Sequence, residues 1–316
     1  MKKILLTATA FLMLFSCQND TTESTTQNAT ALTKRSCASQ DVLAAQLKAD
    51  PTLALRMNQI EAFTQNAMLT NRLVNGKVEI PVVVNVLYRT TAENISLTQI
   101  QSQINVLNQD FNATNSDFNK VPSLFSGVKA NVGITFVLDQ VIRKSTTKTS
   151  WGTTDTMKKT TYGGIAPTSP TTKLNLWVCT IGGGILGYAQ FPGGASSTDG
   201  VAIDSKYVGL SGTASAPYNL GRTATHEVGH WMNLRHIWGD ANCGSDLVSD
   251  TPTHNDANYG VPAYPHYSTC SGTPVEMTMN YMDYTDDNAM YMFSNGQKSR
   301  MSAIFVSGGA RSGFGI

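Results

Sequence analysis

Residues 226–236 read His-Glu-Val-Gly-His-Trp-Met-Asn-Leu-Arg-His, and this stretch says most about fold and chemistry. His226 and His230 are four residues apart, so a helix projects both imidazoles from one face, where they can bind one cation. A catalytic zinc ion takes about three protein ligands and keeps a fourth position open. His236 lies six residues beyond His230, where no continuous helix reaches the same face. The helix is therefore predicted to end near residues 233–234, so that the chain turns back and presents His236 as the third ligand.

Glu227 directly follows the first predicted ligand. Its carboxylate can reach a zinc-bound water without binding the metal, and that water needs a base to become hydroxide. Glu227 is therefore the predicted general base of a hydrolase. The alternative is a buried amphipathic helix whose histidines only form hydrogen bonds. The whole chain has five histidines, and three of them fall within this stretch, which favours the zinc site.

The composition excludes several other classes of protein. The 316 residues carry 23 Lys and Arg against 22 Asp and Glu, so the formal net charge of +1 gives no argument for a nucleic-acid partner. Hydrophobic residues make up 41% of the chain, which is enough for a sizeable core. A disordered chain, a coiled coil and a polytopic membrane protein are excluded. A monomer that acts on proteins or peptides is expected.

The N-terminus has the pattern of an export signal. A basic start precedes the apolar run 4–15, which is too short to span a bilayer and fits the h-region of a signal peptide. The run ends in Leu-Phe-Ser-Cys, similar to the lipobox of bacterial lipoproteins, although Phe15 fits it poorly and ordinary signal-peptidase cleavage is the alternative. Residues 1–17 are therefore predicted to be a lipoprotein signal. The protein is expected outside the cytoplasm, held to a membrane or cell surface only by a lipid on Cys17, and released by later cleavage.

The rest of the chain is predicted to form a tether with a helical pro-segment, followed by one catalytic domain. Residues 18–75 begin with a polar tether and continue with apolar residues at three- and four-residue steps, broken at Asp50 and Pro51. Residues 76–316 have the alternating pattern of a mixed α/β core. Strands are predicted at 78–88, 132–142 and 174–181, and a helix capped by Ser96 at 96–111.

The histidine motif resembles the metzincin signature, and further segments resemble the pappalysin family of metzincins. Metzincins have Gly where this chain has Asn233, but Asn is the non-Gly residue that best tolerates a left-handed backbone. Residues 280–284, Asn-Tyr-Met-Asp-Tyr, resemble the family's Met-turn. The resemblance implies that Met282 forms an apolar floor under the histidines. It also implies that Tyr284 lies beside the zinc, where its hydroxyl could stabilise an oxyanion.

The resemblance covers roughly residues 76–305 and implies a zincin-like α/β fold of the α+β type. This fold has a twisted mixed sheet with the active-site helix, and a smaller, loop-rich C-terminal subdomain from residue 237. Segments 174–177 and 183–192 resemble the strand pair that borders the cleft. A Gly-rich edge strand there can accept a substrate as an added strand, while hairpin turns or bulges are the alternative for these glycines. The predicted edge residues are Gly184, Ile185, Leu186, Gly187 and Tyr188.

Residues 246–252 resemble the family loop that follows the third zinc ligand. The resemblance implies a structural calcium site with Asp246, Asp250 and the Thr251 carbonyl as ligands. Seven aspartates lie within residues 240–287, an enrichment that suits a hard cation. Turn and cap formation is the alternative explanation of the same residues.

Four cysteines remain besides Cys17, and they allow three full pairings. Cys243 and Cys270 bracket the loop after the zinc ligands and are the preferred disulfide. Cys179 lies in an apolar strand and is expected to be a buried thiol. A second bridge found in relatives ends at a position that is Ala289 here, so that bridge is expected to be absent.

Cys37 precedes the catalytic resemblance and is similar to the cysteine switch of the family's pro-segment. A thiolate is a good zinc ligand, so Cys37 could occupy the fourth position and keep the enzyme latent. A disulfide with Cys179 is the alternative. Because family members tend to cut before a basic residue, the bond between Asn71 and Arg72 is the candidate for self-processing.

The sequence thus predicts an extracytoplasmic zinc endopeptidase made as a latent zymogen. A zinc-stabilised surface binding module is the alternative, although such a module has no use for Glu227. The family often prefers a basic residue after the cut, recognised by an acid deep in the pocket. Asp286 and Asp287 could supply that charge, whereas Ala289 and Met290 nearby would favour an apolar residue. The sequence leaves this choice open.

Overall fold

A computed structural model describes residues 34–69 and 78–314 of the chain. The predicted export signal with Cys17, and the bond between Asn71 and Arg72, lie outside the described residues. Within the described residues, no helix is both long and apolar enough to cross a membrane.

A five-stranded sheet forms the centre of the fold. Its strands are β1 (Val78–Tyr88), β2 (Ile134–Ser145), β3 (Leu174–Cys179), β4 (Gly187–Ala189) and β5 (Val201–Asp204). The strand order is β2-β1-β3-β5-β4, and all neighbours are parallel except β4, which runs antiparallel to β5 at the edge. The strand β1 has the predicted bounds. The strand β2 extends beyond its predicted end because it pairs with β1 along that strand's whole length.

Five α-helices lie within the described residues. They are α1 (Ser39–Ala49), α2 (Leu53–Leu69), α3 (Leu97–Phe111), α4 (Arg222–Trp231) and α5 (Asn295–Ala303). The predicted break at Asp50 and Pro51 separates α1 from α2, because Pro lacks the N–H that a helix interior uses. Ser96 caps α3 as predicted, and its hydroxyl accepts a hydrogen bond from the Gln99 N–H at 3.1 Å.

Side chains of the central strands alternate between two apolar layers, as the period of a strand requires. Val82, Val84 and Val86 belong to the larger layer, which also contains residues of α3 and α4. Trp177 and Cys179 belong to the layer on the other face of the sheet. Burial on both faces explains the nearly continuous apolar sequence of β1. The mixed α/β class is therefore confirmed.

The chain after α4 is rich in loops. Between residues 237 and 294 the only strands are β6 (Tyr259–Gly260) and β7 (Tyr284–Thr285), which pair in parallel. Cys243 and Cys270 form a disulfide in this part, which is the preferred pairing. Cys37 and Cys179 are free thiols, so the alternative bridge between them is not formed.

Candidate active site

The helix α4 is buried along its whole length and places His226 and His230 one turn apart. Their Nε2 atoms lie 3.2 Å from each other. The helix ends at Trp231, slightly earlier than predicted, and Asn233 takes the left-handed conformation with a φ of 74°. The chain reverses there and brings the Nε2 atom of His236 to 3.0 Å from that of His230. The three Nε2 atoms therefore face one common position.

The other ring nitrogen of each histidine is held by a protein oxygen. The partners are the Tyr281 carbonyl for His226 at 2.7 Å, the Leu234 carbonyl for His230 at 2.8 Å, and the Asp240 carboxylate for His236. These contacts assign the proton to Nδ1 and leave each Nε2 lone pair free for a metal. Burial, and then the neighbouring histidines, lower the pKa values of His226 and His230, so both rings are neutral. The donor set fits a zinc ion.

Met282, the predicted Met-turn residue, is completely buried and packs against α4 at Gly229. A Cβ atom added at Gly229 would lie 2.5 Å from the Met282 sulfur, so only glycine lets α4 pack this closely on that side chain. The Ile237 N–H donates to the Met282 carbonyl at 3.1 Å and fixes the turn against the chain that carries His236. Gly229 is a functional position that sequence reasoning missed, although it stands inside the quoted motif.

Glu227 lies at the junction of α4 and the edge strand β4. Its side chain is buried, and a Cβ atom at Gly187 would lie 3.1 Å from its Cγ atom. Its Oε2 atom accepts a hydrogen bond from the Ser39 hydroxyl at 2.9 Å and lies 3.3 Å from the Cys37 sulfur. Burial raises the pKa of the Glu227 carboxyl to about 7. Ser39 had not been identified from the sequence, where only its closeness to Cys37 was visible.

Tyr284 packs its ring against two of the three histidines. The ring centroids lie 5.7 Å from that of His226 and 4.9 Å from that of His236. Its hydroxyl donates a hydrogen bond to the Cys37 carbonyl at 3.2 Å. Burial raises the pKa of the phenol, so the group is a hydrogen-bond donor at neutral pH. Tyr284 can therefore donate to a carbonyl oxygen held beside the histidines.

The N-terminal segment, residues 34–69, occupies the cleft beside β4. The Leu186 N–H donates to the Ser36 carbonyl at 2.9 Å, and the Ala38 N–H donates to the Gly187 carbonyl at 3.1 Å. Cys37 pairs with Gly187 in the parallel sense. The Ala189 N–H donates to the Ser39 hydroxyl at 2.9 Å. The edge of the sheet therefore already binds a peptide through its backbone.

The observed edge strand is shifted from the predicted one. The prediction covered Gly184 to Tyr188, but β4 runs from Gly187 to Ala189. Gly184 has a φ of 73° and belongs to the preceding turn with Ile185 just after it, so both lie outside the edge strand, in the connection from β3 to β4. Leu186 and Gly187 form backbone hydrogen bonds with Ser36 and Ala38 of the N-terminal segment, and substrate binding at this edge stays a prediction.

Cys37 completes a group of four possible metal ligands. Its sulfur and one nitrogen from each of the three histidines all lie within 4.8 Å of one another. This group is the only set of three or more metal-ligand side chains at such distances in the described part of the chain.

Arg35 fills a buried pocket next to the histidines. Its Nη2 atom lies 2.5 Å from the Asp287 Oδ1 atom, and both side chains are almost fully buried. Its Nε atom donates to the Thr285 carbonyl at 3.2 Å, its Nη1 atom donates to the Thr223 hydroxyl at 3.3 Å, and its guanidinium lies over the Tyr218 ring. Sequence reasoning had named Asp287 but missed Arg35, two residues before Cys37.

The aspartates of the predicted calcium loop accept hydrogen bonds from protein donors. The Thr251 hydroxyl donates to both carboxylate oxygens of Asp246, at 3.0 and 2.9 Å. Asp250 accepts hydrogen bonds from the Ser294 hydroxyl at 2.6 Å and the Gly296 N–H at 2.8 Å, at the start of α5. These contacts are turn and cap contacts, so the calcium site stays a prediction.

Comparisons with known proteins give the family. The model of the M43 peptidases, described as pregnancy-associated plasma protein-A, matches residues 177–306. The extracellular metalloprotease of Pyricularia oryzae is 35% identical over 228 residues, which cover 68% of this chain and 70% of that protein. Extracellular metalloprotease 1 of Coccidioides posadasii is 36% identical over 222 residues, covering 67% of this chain and 70% of that protein. The chain belongs to the pappalysin family.

Two solved structures are similar to this pappalysin. Mature mirolysin of Tannerella forsythia in complex with a cleaved peptide is 42% identical with a TM-score of 0.75, and the match covers 77% of this chain and 97% of that one. A promirolysin mutant of the same organism is 38% identical with a TM-score of 0.81, covering 89% and 97%. The fold is thus that of the metzincins, and this pappalysin is a zinc metalloendopeptidase.

Proposed function

We propose that this pappalysin cleaves protein or peptide chains with Glu227 as the general base and is made as a latent zymogen. His226, His230 and His236 would hold the zinc ion, a role supported by their convergent Nε2 atoms. Zinc bound there supplies a Lewis acid that polarises the scissile carbonyl and acidifies an attacking water. The observation that carries the proposal is the occupied cleft, because residues 35–39 contact the groups that a peptide substrate needs.

Glu227 suits the role of base because it directly follows His226 and its carboxylate faces the edge strand β4 at Gly187. Its carboxylate takes a proton from the attacking water and later donates it to the leaving amine. The Tyr284 hydroxyl donates to the developing oxyanion, as it now does to the Cys37 carbonyl. The strand β4 holds the substrate backbone by main-chain hydrogen bonds.

A comparison of wild type with Glu227→Ala tests this mechanism. Both proteins are freed of the N-terminal segment, loaded with zinc and incubated with casein, gelatin and a peptide library. We expect Glu227→Ala to lose at least about 10²-fold in rate with its zinc content unchanged. The exposed Glu79→Ala variant serves as the control and keeps full activity. If neither wild type nor control cleaves anything while zinc is bound, the chain is the alternative, a surface binding module.

We further propose that residues 18–75 are a tether and pro-segment and that residues 76–316 form the catalytic domain, with subdomains meeting near residue 236. Cys37 would be the fourth zinc ligand of the latent form. This role is supported by the short distances between its sulfur and the nitrogens of the three histidines, and by the similarity to promirolysin. Cleavage between Asn71 and Arg72 would begin activation. The unprocessed Cys37→Ala protein should hydrolyse peptides, and latency equal to wild type would refute the cysteine switch.

The substrate class follows from the pocket that Arg35 fills. A buried carboxylate that binds a guanidinium favours substrates with Arg or Lys after the cut, and Asp287 is the recognising acid. Two peptides that differ only in Arg or citrulline at this position test the preference. We expect the Arg peptide to be cleaved faster, and Asp287→Asn, with its fold checked by melting, to remove the difference. Equal rates in wild type would favour an apolar pocket instead.

Export is supported by the relatives, which are named extracellular metalloproteases, whereas the lipid anchor rests on the N-terminal sequence alone. The lipid would be attached to Cys17, and the enzyme would act as a monomer on the outer side of a membrane. Fractionation of cells tests the anchor, because Cys17→Ser should move the full chain from the membrane fraction to the soluble fraction.

A structural calcium ion would bind at the loop of Asp246, Asp250 and Thr251. The expected result is a fall in melting temperature when calcium alone is chelated and zinc is retained. An Asp246→Asn variant should melt at the same temperature with and without calcium. An unchanged wild-type melt would leave turn and cap formation as the role of these residues.

A further inference from the structure

We propose that Tyr259 forms a second cation subsite of the cleft, which favours Lys or Arg at the substrate residue next to the one in the Asp287 pocket. The inference rests on the proposed basic preference and extends it by one position. Cleavage would then be fastest where two basic residues follow the scissile bond.

The N-terminal segment provides the first observation. Cys37 lies at the histidines, Arg35 lies in the Asp287 pocket, and Lys34 is the next residue along the cleft. The Nζ atom of Lys34 lies 4.8 Å from the centroid of the Tyr259 ring, within the range of a cation–π contact. Lys34 is exposed and forms no ion pair with any residue of 34–69 or 78–314. The Tyr259 ring is therefore the group that its ammonium contacts.

The Tyr259 ring is held in place before a ligand arrives. Its backbone pairs with Tyr284 in the β6–β7 ladder, and the two rings pack with centroids 5.9 Å apart. The preceding Asn258 N–H donates to the Asp283 carboxylate at 2.8 Å. On the other side, the Asp286 N–H donates to the Gly260 carbonyl at 2.9 Å. These bonds join the ring to the wall of the Asp287 pocket, which keeps the two subsites at a fixed spacing.

The surroundings of the ring are negatively charged. Burial raises the pKa of the Tyr259 phenol, and the carboxylates of Asp256 and Asp283 raise it further. Asp286, half-buried at the neighbouring position, adds a third negative charge. An aromatic ring with carboxylates nearby attracts a cation more strongly than the same ring without them.

A substrate can present a side chain to this ring in the same way as the N-terminal segment. Consecutive side chains of an extended peptide point to opposite sides. A residue in the Asp287 pocket therefore directs its neighbour to another surface, and for Lys34 that surface is Tyr259. In a substrate, the residue one position further from the scissile bond than the residue in the Asp287 pocket meets the ring. This holds for either direction of the bound peptide.

Matched peptides test the subsite in the processed full chain loaded with zinc. One peptide has Arg-Lys after the scissile bond and the other has Arg-norleucine, which keeps the four-carbon chain of the side chain without its ammonium group. For wild type we expect a kcat/KM about threefold higher for the Lys peptide, the size of an exposed cation–π contact. Tyr259→Phe should keep this ratio, and Tyr259→Leu should reduce it to one. The Lys-to-norleucine ratio is taken within each protein, so that any change in overall rate from the packing of Tyr259 on Tyr284 cancels.

Binding provides a second readout that does not depend on turnover. Each peptide is titrated against the Glu227→Ala protein, with and without Tyr259→Leu, and the ratio of Kd values should repeat the ratio of kcat/KM. If wild type binds and cleaves the Lys and norleucine peptides equally, while Arg remains preferred in the Asp287 pocket, the Tyr259 subsite is refuted and the basic preference of the Asp287 pocket stands. If Arg is not preferred over citrulline there, the proposed basic preference fails as well.

Discussion

At the scale of single residues, Ser39 contacts both Glu227 and the edge strand β4. Its hydroxyl donates to the Glu227 carboxylate at 2.9 Å and accepts from the Ala189 N–H at 2.9 Å. It therefore occupies both the proposed general base and a backbone donor of β4, the proposed substrate-binding edge. The thiol of Cys37 blocks a different position, beside the histidines. Latency would then depend on two contacts two residues apart rather than on the thiol alone.

The substitution Ser39→Ala should make the unprocessed chain leaky even with Cys37 present. A lost hydrogen bond to a buried charged group is worth roughly 1.5–3 kcal/mol, so hydrolysis of a fluorogenic peptide should rise about tenfold or more. Ser36→Ala is the matched control, because Ser36 contacts the edge strand through its carbonyl. If both variants remain as inactive as wild type, Ser39 has no part in latency.

At the scale of elements, two arginines secure the end of the active-site helix. Arg311 donates to the Trp231 carbonyl at 2.8 Å, stacks 3.8 Å from that ring and binds Asp199 through two hydrogen bonds of 2.7 and 2.9 Å. Arg300 donates to the Asn233 carbonyl at 2.8 Å. The last carbonyls of a helix have no partners within the helix, and cationic donors satisfy them well. The C-terminal tail thereby fixes the turn that delivers His236.

We expect Arg311→Met to destabilise the catalytic domain by about 3 kcal/mol, because it leaves Asp199 buried without its partner. Thermal melting of the zinc-free and zinc-loaded proteins measures the loss, and zinc affinity should fall with it. Arg89→Met removes an exposed i,i+4 pair and should change stability by less than about 1 kcal/mol. Equal losses of stability in the two variants would mean that the Arg311 contacts add no more stability than the surface pair of Arg89.

The sequence predicted those elements whose signal is local. The cap at Ser96, the break at Asp50 and the turn at Asn233 each follow from one or two residues and their backbone preferences. The pocket of Arg35 and Asp287 joins residues 252 positions apart, and the Arg311 contact with Trp231 joins residues 80 apart. Such pairs depend on how elements pack, which no short window of sequence records. The shift of β4 has the same origin, since its bounds are set by pairing with β5.

At the scale of the whole molecule, the N-terminal segment contacts the rest of the protein at several places, and two of them bear on its release. One is the cleft at residues 34–39. The other is α2, where Glu61 accepts hydrogen bonds from Arg300 at 2.8 and 2.5 Å, and the Arg56 side chain donates to the Gly193 carbonyl at 2.8 Å. Arg300 also holds the end of the active-site helix. A single cut in residues 70–77 would therefore leave the segment bound by both contacts.

Acid should weaken the second contact. Burial alone would raise the pKa of Glu61, but hydrogen bonds from Arg300 and Gln65 and the charge of Arg300 lower it below its ordinary value of 4.5. A carboxyl with a lower pKa in the bound state stabilises binding above about pH 4.5, and this contribution disappears as the pH falls through the lower value. Glu61→Gln should release the segment from the nicked chain roughly two- to fivefold faster at pH 7, a modest effect because Glu61 is half-exposed. As the pH is lowered stepwise below about 4.5, the difference in release between the two proteins should shrink, measured by gel filtration, while the exposed Glu79→Gln control follows wild type throughout. A difference that stays undiminished down to the lowest pH at which the protein remains folded would show that Glu61 acts through its shape rather than its charge.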